Sequence, residues 1–88
     1  MEIIYSDEAQ LDIKYWTKSG NKIIQKKIQE LLNSIEETPF EGIGKPEQLR
    51  YGLSGLWSRR INLEHRIVYE LPDDERTIKI HSLRGHYN

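Results

Sequence analysis

At 88 residues and without a cysteine, the chain can build one small core over residues 1–88, with no disulfide framework or thiolate metal ligation to staple it. A net charge of −1 excludes a protein that coats nucleic acid by bulk attraction. No apolar run approaches the ~20 residues of a membrane span, and the opening MEIIYSDEAQ lacks the basic-then-apolar pattern of a signal peptide, so a cytoplasmic protein with no membrane partner is expected.

Glu2-Ile3-Ile4-Tyr5 is a short β-prone run, and Ser6-Asp7-Glu8 supplies the oxygen and early acids that suit a helix start. Asp7 and Gln10 have capping-box spacing. The helix is expected to reach about Ser19 and stop at Gly20, with Ala9, Ile13 and Trp16 on one face and Leu11 with Tyr15 on a second stripe. Two stripes imply burial on two sides or contact with a partner. Asn21 can cap a second helix, whose Ile24, Ile28, Leu31 and Ile35 share a face and which ends near Thr38-Pro39.

Pro39 to Pro46 holds two prolines and two glycines and reads as an ordered loop. Four strands are then expected, Glu47 to Arg50, Trp57 to Ile61, Arg66 to Leu71 and Thr77 to Leu83, joined by short links that favour antiparallel neighbours. Alternation puts Trp57, Arg59 and Ile61 on one face with Ser58 and Arg60 on the other, and groups Arg66 with Val68 against Ile67 and Tyr69. The predicted fold class is α+β, in the order β-α-α-β-β-β-β, with two helices on one face of a twisted, mainly antiparallel sheet.

Charge is uneven along this plan. Residues 1–37 carry five basic and seven acidic side chains, whereas Lys45 to Arg66 carry five basic (Lys45, Arg50, Arg59, Arg60, Arg66) and two acidic (Glu47, Glu64). A polyanion is therefore expected at the middle of the chain. Glu47, Arg60, Arg66, His86 and Tyr87 stand out because phosphodiester transfer in RNA needs a base for the 2′-hydroxyl, a cation for the phosphorane oxygens and an acid for the leaving 5′-oxygen. The substrate supplies the nucleophile, so this chemistry needs no metal or other cofactor.

Each residue also has a plainer reading. Glu47 at a strand start can be a solvated acid. Arg59-Arg60 fits one stem folded inward and one solvated charge. Arg66 can pair with Glu64 or Glu70 across a hairpin, and His86 and Tyr87 sit where chains fray. His65, His81 and His86 lack the i, i+4 spacing of a helical zinc site, and GIGKP has a proline where a phosphate loop would become helical.

Four segments in order, Thr38 to Glu47 (TPFEGIGKPE), Leu53 to Ile61 (LSGLWSRRI), Glu64 to Tyr69 (EHRIVY) and the terminal His86-Tyr87, resemble the signature of the YoeB toxins of the RelE/ParE superfamily. The resemblance spans nearly the whole chain. It implies a RelE-like fold and a toxin that cuts mRNA on the ribosome, leaving a cyclic phosphate. It assigns Glu47 as general base, His86 as general acid and Arg66 as transition-state cation, with Arg60 and Tyr87 shaping the site and Lys45, Arg50 and Arg59 contacting RNA. The implied partner is a YefM-type antitoxin, and a homodimer is compatible with it. Three features depart from the family pattern: Arg50 stands where a lysine is common, Gly85, in place of an aromatic, adds backbone freedom before His86, and Asn88 follows the His86-Tyr87 pair at which many relatives stop. A different class of function, a non-enzymatic ParE-like inhibitor that binds DNA gyrase, can use the same scaffold.

Overall fold

Across residues 2–50, 55–72 and 76–85, which the computed structural model describes, the order is β1 (Glu2–Tyr5), α1 (Asp7–Ser19), α2 (Lys22–Glu37), β2 (Glu47–Gln48), β3 (Trp57–Arg60), β4 (Arg66–Glu70) and β5 (Thr77–Ser82). The expected order holds, and each of the last four strands ends one or two residues early. Among the described residues no helix is long and apolar enough to cross a membrane.

Both helices are bounded by side chains suited to the task. Ser6 caps α1, its hydroxyl accepting from Ala9 N at 3.0 Å and donating to the His81 carbonyl at 2.7 Å, which ties the helix start to β5. The Asp7–Gln10 capping box does not form: Asp7 already lies inside the helix, and Gln10 instead donates to the Tyr5 carbonyl. Gly20 closes α1 with φ +70°, and the Asn21 side chain accepts from Ile24 N to start α2.

The sheet order is β1-β5-β4-β3-β2, with β1 parallel to β5 and every other pair antiparallel. The helices cover one face of it. Ala9 and Trp16 from α1 and Ile24, Leu31, Leu32 and Ile35 from α2 pack on Ile67, Tyr69, Ile78, Ile80 and Leu83. Each such apolar side chain contributes about 1.5–3 kcal/mol on full burial. Leu32 belongs to this face beside the four positions the periodicity selects, while Ile28 is half-buried and Ile13 largely exposed.

A β-bulge controls how the chain leaves the sheet. Tyr69 faces Ile80 but Val68 faces Ser82, so His81 is an extra residue on β5. Without it the inward parity of Ile78 and Ile80 would pass to Ser82. With it Leu83 turns into the core and is fully buried.

Candidate active site

The site is built on the sheet face that the helices leave free. Register places Glu47 opposite Ser58, Ser58 opposite Val68, and Arg60 opposite Arg66, so Glu47, Ser58, Arg60 and Arg66 project to one side. Arg66 Nη1 lies 3.5 Å from Glu47 Oε2 and 3.4 Å from the hydroxyl of buried Ser58. The Glu47 side chain is 64% exposed and that of Arg66 22%. An exposed pair at this separation contributes at most about 1 kcal/mol to stability, so little is lost if either group turns to a ligand. Of the partners weighed for Arg66, neither Glu64 nor Glu70 is taken: Glu70 bonds His81 at 2.8 Å, and Glu64 lies 3.9 Å from His65.

Arg59 corrects the sequence reading. Expected as an RNA contact, it points to the helix face, is completely buried, and uses all five N–H donors inside the protein. Nε donates to Tyr69 Oη, Nη1 to Ser34 Oγ and the Ile43 carbonyl, and Nη2 to the carbonyls of Thr38 and Glu41. Tyr69 Oη in turn donates to the Pro39 carbonyl at 2.6 Å. Burial pushes the Tyr69 phenol above its ordinary value, against a downward pull from the Arg59 bond and charge. The guanidinium is thus the centre around which residues 38–43 are wound.

That winding delivers Glu47 to the sheet edge. A Cβ on Gly42 would meet Ser34 Oγ at 2.6 Å, and one on Gly44 would meet Leu31 Cδ2 at 2.7 Å. Both glycines and Lys45 have positive φ, and the Gly44 carbonyl accepts from Arg60 N at 2.6 Å. The sharp turn leaves Lys45 exposed beside a cleft lined by Lys27, Arg60, Asn62 and Leu63, immediately before Pro46 and Glu47. Arg50 is exposed just beyond β2.

His86 and Tyr87 lie outside the described residues. The residue before them does not: the Gly85 carbonyl accepts from Arg66 N at 2.8 Å, so the chain approaches His86 alongside the strand that carries Arg66. Gly85 has φ +76° with both backbone groups bonded, so its freedom serves a left-handed turn.

Residues 5–87 match the profile of the "YoeB-like toxin of bacterial type II toxin-antitoxin system". The chain belongs to this family. Toxin YoeB of Escherichia coli K12 is 48% identical over 87 residues, covering 99% of this chain and all of that one. Two solved structures from Staphylococcus aureus superimpose closely: the YoeB dimer, with TM-score 0.87 and 48% identity, and the YoeB–YefM complex, with TM-score 0.85 and 49% identity. Each covers 99% of this chain and 98% of its own.

Several residues that support this YoeB-like site escaped the sequence reading. Ser58 was placed on the correct face by alternation, but its small hydroxyl gave no reason to single it out. Asp12 is buried in α1, where its carboxylate accepts from Leu83 N at 2.9 Å, and Trp16 Nε1 donates to the Leu83 carbonyl at 2.9 Å. The signal was available: an acid three residues from Ala9 and four from Trp16 sits in an apolar stripe. His65 Nδ1 accepts from Gly85 N at 2.9 Å, and its ring meets Trp16 edge-on at 4.9 Å. Among the described residues no three His, Asp or Glu side chains gather as a metal site.

Proposed function

We propose that the chain is a ribosome-dependent mRNA endoribonuclease acting in the cytoplasm as the toxin of a toxin–antitoxin pair. The observation that carries this reading is the Glu47–Arg66 pair on the free sheet face, a carboxylate beside a guanidinium with neither group committed to the core. Glu47 takes the proton from the RNA 2′-hydroxyl as O2′ attacks phosphorus. Arg66, with Arg60, balances charge on the non-bridging oxygens, and His86 protonates the departing 5′-oxygen. The products are a 2′,3′-cyclic phosphate upstream and a 5′-hydroxyl downstream. Tyr87 completes the site, and Lys45 and Arg50 hold flanking phosphates.

A YefM-type antitoxin is the partner in this reading, as for the S. aureus relative, and a homodimer is a second assembly the S. aureus protein adopts. The second stripe of α1 supports a partner, because Leu11 is 64% exposed and Tyr15 is exposed beside it. With net charge of only −1, the ribosome rather than long-range attraction brings RNA to the site.

The test is mapping of 5′ ends on a translated mRNA with wild type and Glu47→Gln. Cleavage is expected to fall about 10²–10⁴-fold, the ordinary contribution of a general base, with the melting temperature unchanged. A 2′-deoxy nucleotide at the cut position is expected to block cutting. Undiminished cleavage by Glu47→Gln ends the acid–base reading, and inhibition of gyrase supercoiling without mRNA cleavage replaces it with the binder.

A further inference from the structure

The turn that leads to His86 is pinned by four hydrogen bonds. Leu83 is held on both sides, its N–H by Asp12 and its carbonyl by Trp16. Gly85 is held on both sides by consecutive residues, its carbonyl by Arg66 N and its N–H by His65 Nδ1. A backbone amide can only donate, so Nδ1 must be bare and the ring proton of neutral His65 must sit on Nε2. The Trp16 edge fixes the plane of the ring.

One of these four bonds differs in kind. A carboxyl keeps an acceptor lone pair whether or not it is protonated, and the amide and indole donors do not titrate. An imidazolium has no bare nitrogen, so one added proton abolishes the Gly85 bond. We propose that His65 is a positioning residue for RNA cleavage: as the Nε2-protonated neutral ring it helps to fix the backbone from which His86 departs, and its protonation releases the Gly85 N–H while the other three bonds persist. This rests on the endoribonuclease reading and adds a residue that touches no substrate. The charged groups facing the ring are Glu64, 3.9 Å from Nε2, with Glu8 and Asp12 of α1 and Arg84 of the terminal turn around the same depression.

The experiment measures single-turnover cleavage of translated mRNA across pH for wild type, His65→Ala and His65→Asn, each with a melting temperature. Asparagine places an amide oxygen near the Nδ1 position and cannot gain a proton. His65→Ala is expected to lose about 10–100-fold in kcat, the scale of a misplaced catalytic group, while KM changes little. His65→Asn is expected to recover most of kcat with an acid limb that differs from wild type, because its side chain cannot gain a proton. A folded His65→Ala with wild-type kcat, or His65→Asn with the wild-type acid limb, overturns the proposal.

Imidazole ¹⁵N shifts of the free wild-type protein are expected to report the Nε2–H form, with the Gly85 amide titrating in step with His65. An Nδ1–H form at neutral pH overturns the proposal whether or not any variant folds. If wild type cuts no mRNA, the endoribonuclease reading fails and takes the role in cleavage with it, while the tautomer still decides whether His65 holds Gly85.

Discussion

The segment that leads into Glu47 and the one that runs beside the Arg66 backbone are secured by opposite means. Residues 38–46, which lead into Glu47, wrap a buried arginine that spends every donor on them and on the core. Residues 83–85, which lead toward His86, are held from outside by Asp12, Trp16, His65 and the Arg66 backbone. A guanidinium never loses its charge in a protein, whereas an imidazole stops accepting once both ring nitrogens carry a proton. One arm is thus held by a permanent charge, and the other in part by a ring lone pair that an added proton would remove.

Removing the first anchor tests the contrast most severely. Arg59→Ala removes every donor that ties Ser34, Tyr69 and the carbonyls of Thr38, Glu41 and Ile43 together and opens a hole beneath the loop. Denaturant titration is expected to show a loss of about 4 kcal/mol or more, enough to unfold many domains of this size. Survival with an unchanged midpoint means the loop is held by something other than Arg59.

The glycines sharpen the comparison. Gly44→Ala forces a Cβ against Leu31 and the Arg60 carbonyl at a positive φ, and about 2–4 kcal/mol is expected to be lost. Gly85→Ala also sits at positive φ, but its Cβ meets nothing within 4 Å, so only the left-handed penalty of about 1–2 kcal/mol applies. Equal midpoints for the two variants would falsify the picture of one tightly wound arm and one open one.

Tyr69→Phe is the mildest change and carries a pH signature. It removes the hydroxyl that joins Arg59 to Pro39, for about 1–2 kcal/mol. Because burial raises the Tyr69 phenol above its ordinary value of 10.0, the folded state holds the proton more tightly than the unfolded chain does. That contribution is complete below pH 10.0 and fades as pH rises through the folded value, so wild type is expected to lose stability on the alkaline side more steeply than Tyr69→Phe. Parallel alkaline profiles from denaturant melts would count against it.

The helices were legible because capping residues, a glycine stop and a 3.6-residue period all agree on them, and Ile24, Leu31 and Ile35 lie where that period puts them. The strand faces were legible for the same reason with a period of two, which grouped Ser58 with Arg60 and Arg66 with Val68. Alternation also grouped Arg59 with Trp57 and Ile61, but the family resemblance assigned it to RNA. A lone sequence does not reveal that five acceptors from Ser34, Thr38, Glu41, Ile43 and Tyr69 gather around it. The bulge at His81 was illegible for a related reason, since parity arguments assume an unbroken count and one extra residue reverses every side chain after it.

β1 has one neighbour in the sheet, β5, so residues 2–5 lie beside residues 77–80, and Ser6 caps α1 while bonded to His81 and Ile80. During synthesis β1 therefore waits until β5 has been made before it has a strand to lie against. A translation product that ends before β5 would leave β1 and α1 without the strand they pack against.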